Sequence, residues 1–181
     1  MHENIVQIYE VLRKQDRIYV FMEHCPNGEL YNRIVNEGPM TEPQAAKTFY
    51  QILTALLYLK RAGLSHRDIK PENILFDKNW NAKLVDFGFS CQNIGVDGHF
   101  RRTLCGTPSY TPPEVLLKTS YDPERMDVWS LGVTLYAMLT GELPFEGDSH
   151  ENRRSRIFNY KWSPRSFMGP KLLKLFNSIF V

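Results

Sequence analysis

Cysteine is scarce in this 181-residue chain: Cys25, Cys91 and Cys105 are all it holds. Their number is odd and no C-x-x-C pair occurs. That argues against a disulfide scaffold and for reduced thiols in an intracellular compartment. Excess charge is equally small. The 22 Lys and Arg against 20 Asp and Glu leave a formal +2, too little to point to nucleic acid or a membrane surface. No apolar run approaches the length of a membrane span. Met1-His2-Glu3-Asn4 does not open the basic-then-apolar profile of a secretory leader. These absences predict a protein of the cytoplasm, the nucleus or both, with no nucleic-acid and no membrane partner. Repeats, low-complexity tracts and linker-like stretches are missing too. What is present is ordinary: 43% hydrophobic and 23% charged residues, at a length that suits one domain with a substantial core.

Hydrophobic periodicity predicts the elements. Two short strands are expected near 5–12 and 17–22, with Lys14-Gln15-Asp16 as the turn. Ile18, Val20 and Met22 alternate with Tyr19 and Phe21, so the second reads as a strand covered on both faces. Cys25-Pro26-Asn27-Gly28 breaks the pattern. A long helix follows, with Thr41 and Gln44 as a capping box, an apolar face from Ala45 to Leu59, and Gly63 as its stop. Residues 74–76 and 83–85 suit a small hairpin, and 89–113 read as irregular. A second helix over 126–139 is apolar nearly all round, which places it centrally, with Gly141 ending it. Further helix is expected near 149–158 and from Lys171 onward.

The chemistry gathers in His66-Arg67-Asp68-Ile69-Lys70-Pro71-Glu72-Asn73, followed by Asp86-Phe87-Gly88. These match the protein-kinase catalytic loop H-R-D-x-x-x-x-N and the D-F-G signature. The loop alone would match by chance on the order of once in a thousand such chains. Phosphoryl transfer asks a protein mainly for positioning and charge control: one carboxylate to orient the attacking hydroxyl, and oxygen ligands to hold magnesium. Asp68 suits the first task, Asn73 and Asp86 the second.

Other segments extend the match. Glu23-His24-Cys25-Pro26-Asn27-Gly28-Glu29-Leu30 resembles the hinge between kinase lobes. The run from Gly106 to Glu114 resembles the substrate-site loop, with Pro112 where alanine is usual, and Asp127-Val128-Trp129-Ser130-Leu131-Gly132 resembles the central helix of the large lobe. The whole chain resembles a eukaryotic serine/threonine protein kinase of the calcium/calmodulin-dependent and AMP-activated group. That resemblance implies an α+β, protein-kinase-like fold over residues 1–181: strand remnants of the small lobe in 1–22, the hinge in 23–30, and an incomplete helical C-terminal lobe in 31–181. It implies ATP and Mg2+ as cofactors, a protein substrate with a Ser or Thr acceptor, and an upstream activating kinase.

Residue by residue, Asp68 resembles the catalytic base and Lys70 the cation beside the transferring phosphoryl. Asn73 and Asp86 resemble the magnesium ligands. Met22 stands as gatekeeper, Glu23 and Cys25 where backbone groups bond adenine, Leu75 beneath the adenine ring, and Glu29 within reach of the ribose or a basic substrate residue. Thr103 takes the place of the activating phosphosite, with Arg67 as a partner for the phosphate. Thr107 resembles the residue that contacts the acceptor site. Glu114 resembles a structural acid that the family pairs with a distant arginine. Bland readings stand beside these: Met22 and Leu75 as core residues, Glu29 as a first-turn acid of a helix, His66 as packing.

No G-x-G-x-x-G loop and no V-A-I-K lysine occurs in the 181 residues. Gly95-Val96-Asp97-Gly98 follows the D-F-G segment and reads as a turn. Strands 5–12 and 17–22 would then lack neighbours and expose edges and an apolar face. Two functional readings follow. One is a serine/threonine kinase seen through its large lobe. The other is a truncated kinase fold that binds or regulates without catalysis, or a partial copy of a longer gene product.

Overall fold

The computed structural model describes residues 1–93 and 102–181. In chain order its elements are β1 (Ile8–Lys14), β2 (Arg17–Met22), α1 (Leu30–Glu37), α2 (Glu42–Arg61), β3 (Leu64–Ser65), β4 (Ile74–Phe76), β5 (Ala82–Leu84), β6 (Cys91–Gln92), α3 (Pro113–Leu116), α4 (Pro123–Thr140), α5 (His150–Phe158) and α6 (Pro170–Ile179). The architecture is α+β with a helical core. Its strands pair in antiparallel twos: β1 with β2, β3 with β6, and β4 with β5.

Everything rests on α4. It begins three residues earlier than the apolar pattern suggested, because Asp122 caps it through the Glu124 N–H at 2.9 Å and Pro123 fits its first turn. Gly141 ends it in the left-handed region at φ 72, where glycine alone is free of strain. Fourteen of its eighteen residues are buried. The long helix α2 packs across it, starting where the Thr41–Gln44 capping box places it. Trp129 of α4 joins Phe145, Phe176 and Phe180 in an aromatic cluster. Trp129 stacks on Phe145 at 5.3 Å and meets Phe180 edge-on at 5.1 Å. Each such fully buried side chain contributes about 1.5–3 kcal/mol against leaving it in water.

Several expectations need correction. Strand β1 starts at Ile8, because Ile5 is drawn off to bridge Leu84, Val6 donates to the Leu84 carbonyl at 3.0 Å, and Asn4 is buried against Ala82. Its turn is the two residues Gln15-Asp16, with Gln15 at φ 55. Strand β2 is not covered: every residue of β1 and β2 is exposed, since no other element packs on either face among the described residues. Its aromatic and β-branched content made the strand legible but not its surroundings. The β4–β5 ribbon forms one residue earlier on its second side than expected. Of helix α1 the sequence suggests only a start near Glu29, and of the short α3 and the β3–β6 pair nothing. The Gly95–Gly98 segment lies outside the described residues.

Candidate active site

The catalytic-loop sequence folds back on itself because its backbone is gripped from behind. Asp127 stands in the first half of α4 and is buried, and its two carboxylate oxygens accept the His66 and Arg67 N–H groups at 2.8 and 2.6 Å. Burial lifts that carboxyl to about 7 against the pull of the two donors. Arg67 sits at φ 67 and Asp86 at φ 59, in left-handed backbone that costs a non-glycine residue about 1–2 kcal/mol. Such strain persists where neighbours over-determine it. At Arg67 the neighbours are Asp127, the Phe89 carbonyl at 2.7 Å from Nε, and the Tyr121 hydroxyl at 3.2 Å from Nη1.

His66 is a packing residue, as the sequence suggested. It is fully buried and edge-on to Phe87, and its Nε2 lies 2.9 Å from the Val85 carbonyl. Burial holds it below the ordinary histidine range, so the neutral ring donates from Nε2, while Nδ1 accepts the Asp68 N–H at 3.3 Å.

Asp68, Lys70, Asn73 and Thr107 converge. One Asp68 oxygen accepts the Thr107 N–H at 3.1 Å and its hydroxyl at 3.0 Å. The other accepts the Asn73 amide at 2.9 Å and pairs with Lys70 Nζ at 2.9 Å. Lys70 closes the circle by donating to the Thr107 hydroxyl at 2.9 Å. Burial pushes the Asp68 carboxyl up, but Lys70, Thr107 and Asn73 together bring it below the usual carboxylate range. The group is therefore an anion at neutral pH, with its lone pairs occupied by donors.

The β4–β5 ribbon sets Asn73 and Asp86 at its two roots, joined by the Val85 N–H donating to the Asn73 carbonyl at 3.0 Å. Both Asn73 amide hydrogens are committed to Asp68, which leaves its amide oxygen for a cation. The exposed Asp86 carboxylate accepts the Gly88 N–H at 3.1 Å. Two hard oxygen donors suit magnesium, which keeps several waters and takes further oxygens from phosphate. Among the described residues no group of three or more His, Cys, Asp or Glu could hold a metal by itself.

The segment from Cys25 to Glu29 is tied to β4: Asn27 N–H to Phe76 carbonyl at 3.2 Å, Phe76 N–H to Gly28 carbonyl at 2.9 Å, and a bridge from Glu29 to Leu75. The Glu23 carboxylate pairs with Lys83 of β5 at 2.7 Å, while its N–H donates to Gln7 at 2.8 Å. The Glu23 carbonyl and the Cys25 N–H stay without a partner among the described residues, so an adenine edge would find an acceptor and a donor there. Cys25 is buried, which raises its thiol. Met22 and Leu75 are not core residues: Met22 is 47% exposed and Leu75 half-buried. Glu29 is the N-cap residue of α1, but its side chain caps nothing.

Thr103 is exposed and joins the loop through its carbonyl, which accepts the Tyr121 hydroxyl at 2.8 Å. Tyr121 in turn meets Arg67, so the segment around Thr103 and the catalytic loop share one buried phenol. Glu114 lies apart from Asp68, in α3. It lines a cavity of about 880 Å3 together with Asp127 and Trp129, and it makes no ion pair among the described residues. Sequence reasoning had assigned no role to Asp127, Tyr121 or Lys83. Asp127 left a signal, an acid at the start of the run 126–139 that is otherwise without charge. The other two left none.

Residues 1–179 match the family model described as protein kinase domain. A serine/threonine protein kinase of Oryza sativa subsp. indica, OSK3, is 45% identical over 157 residues, covering 87% of this chain and 30% of that protein. The SNF1-related protein kinase catalytic subunit alpha KIN12 of Arabidopsis thaliana is also 45% identical over 157 residues, 87% of this chain and 31% of its own length. Serine/threonine-protein kinase ppk16 of Schizosaccharomyces pombe is 43% identical over 159 residues, 88% of this chain and 24% of that one. The chain thus spans under a third of the curated relatives it matches.

Proposed function

Because the chain belongs to the protein kinase domain family, we propose that it carries the acceptor side of a serine/threonine kinase that moves the γ-phosphate of MgATP to protein Ser and Thr hydroxyls. We propose equally that these 181 residues by themselves bind without catalysing. The first half rests on the fourfold bonding of Asp68 to Lys70, Thr107 and Asn73. The second rests on the want of a glycine-rich loop and V-A-I-K lysine in these residues, and on the apolar surface that β1 and β2 hold out to solvent.

When bound, MgATP supplies the phosphoryl group and the charge that Asn73 and Asp86 steady through their oxygens. Asp68 takes the acceptor hydroxyl by displacing one of its present donors, the Thr107 hydroxyl being the nearest exchangeable one. Its depressed basicity fits a group that orients the hydroxyl more than one that strips it early. Lys70 sits between Asp68 and Thr107, where negative charge would accumulate. The Glu23 carbonyl and the Cys25 N–H would hold the base, with Met22, Leu75 and Glu29 lining its place. Residues 1–22, 23–30 and 31–181 then serve as small-lobe strands, hinge and C-terminal lobe. Phosphate on Thr103, placed by an upstream kinase, would act on Asp68 through Tyr121 and Arg67. The site of action is the cytoplasm, the nucleus or both.

Asp68→Asn is the test. The 181 residues, given MgATP and casein, should transfer no faster than the variant. Fused to a segment that carries the glycine-rich loop and lysine, they should gain a transfer rate that Asp68→Asn lowers about a hundredfold or more. Full activity of the fused variant would sink the kinase reading. Transfer by the 181 residues alone, abolished by Asp68→Asn, would sink the binding reading.

A further inference from the structure

The small net charge hides a sharp division. Residues 150–181 hold seven of the 22 basic side chains and one of the 20 acidic ones, so the remainder carries fifteen basic against nineteen acidic. A solvated face normally mixes both signs. This segment, made of α5, α6 and the stretch between them, does not.

Hydrogen bonds tie the three parts of this segment together. Arg156 Nε donates to the Lys161 carbonyl at 3.1 Å, and the Lys161 N–H returns to the Arg156 carbonyl at 2.8 Å. Next to Lys161, the Trp162 indole donates to Asn177 of α6 at 3.1 Å, and Lys174 lies one turn before Asn177. Of the seven cations only Arg165 makes an ion pair among the described residues, with Glu142. Arg154, Lys161, Lys171 and Lys174 are exposed, and Arg153 Nε is buried without an acceptor. Helix α6 has no acid in its first turn and instead sets Lys171 there, where the helix dipole disfavours a cation. Apolar groups stand among the charges: Arg154 lies over Phe158 at 5.1 Å, Tyr160 is 43% exposed and Phe167 57%.

Arg154, Lys161, Lys171 and Lys174 are exposed, pair with no acid among the described residues and stand among exposed aromatics, so the packing of these elements leaves their charges to solvent. We propose that the surface formed by α5, the 159–169 stretch and the start of α6 docks an acidic, partly apolar peptide segment of a partner protein, away from Asp68. A short acidic segment feels only this patch, since salt screens charges beyond about 10 Å. A long polyanion would also meet the acidic excess of the remaining surface, which disfavours RNA.

Binding to the 181-residue protein is read by fluorescence anisotropy of a labelled dodecapeptide that alternates Glu with Leu and Phe. The triple variant Arg154→Glu, Lys161→Glu, Lys174→Glu should weaken it about tenfold or more, and the matching Gln variant by less. Lys78→Glu, on the exposed β4–β5 turn, should leave it unchanged. Affinity should fall as salt rises from about 50 to about 300 mM. Circular dichroism establishes that each variant is folded, and the Gln variant carries the decision if the Glu variant is not. No peptide binding, equal binding by the folded variants, or tighter binding to oligouridylate or to phosphatidylserine vesicles would overturn the proposal. None of these outcomes depends on phosphotransfer.

Discussion

At the scale of the residue, burial decides what each titratable group in the catalytic loop is able to do. Asp68 is buried yet ionised, because three neighbours supply donors. His66, a few ångströms away, is buried and neutral, because its neighbours are a carbonyl and an aromatic edge. The consequence is a pH dependence of known sign. The folded state holds His66 below its ordinary range, so on acidification the unfolded chain takes up a proton that the folded chain refuses. Stability carried by His66 is therefore present at neutral pH and declines as pH falls through about 6.5, the ordinary histidine value. Urea unfolding between about pH 7.5 and 5.5 should show a shallower decline in His66→Phe than in the parent chain. An unchanged slope would mean that His66 titrates freely in the folded state.

At the scale of the element, α4 ties the site to the core. Its first half grips the catalytic loop through Asp127, and its middle lets the end of α6 approach closely at Gly132. A methyl group there would stand 2.6 Å from Ile179 Cγ2 and 3.2 Å from Phe180 Cε1. Backbone freedom is not the reason for this glycine, since it lies within a regular helix; the reason is room. Gly132→Ala should raise helix propensity by up to about 1 kcal/mol and still lower stability overall, by about 1–3 kcal/mol, because Ile179 and Phe180 must shift out of the aromatic cluster. A denaturant midpoint that rises instead would show that α6 is loosely held.

At the scale of the whole molecule, two surfaces stand out of balance with the rest. One is the basic face of α5 and α6. The other is the β1–β2 hairpin, whose apolar side chains from Ile8 to Met22 are 43–68% exposed. A two-stranded ribbon with open edges and apolar faces is an association surface. Ile18→Lys with Phe21→Lys should lower both apolar-dye binding and concentration-dependent association in sedimentation, while leaving unfolding of the helical core within about 0.5 kcal/mol. Association that persists in this variant would place the contact elsewhere.

Read alone, the residues establish the family and the order of the major elements, and they put forward the candidate site residues. Motif spacing and helical periodicity are local, and Asp68, Lys70, Asn73 and the long helices α2 and α4 are written in runs short enough to read. Three things were decided only by tertiary structure. Asp127 reaches His66 and Arg67 from about sixty positions away, and Tyr121 reaches Arg67 from 54. Burial of β2 was misjudged because a run of aromatic and β-branched residues specifies a strand without specifying what lies against it. The basic face is not legible in the composition, because net charge is a sum over the chain, whereas a partner meets charges as the fold arranges them in space.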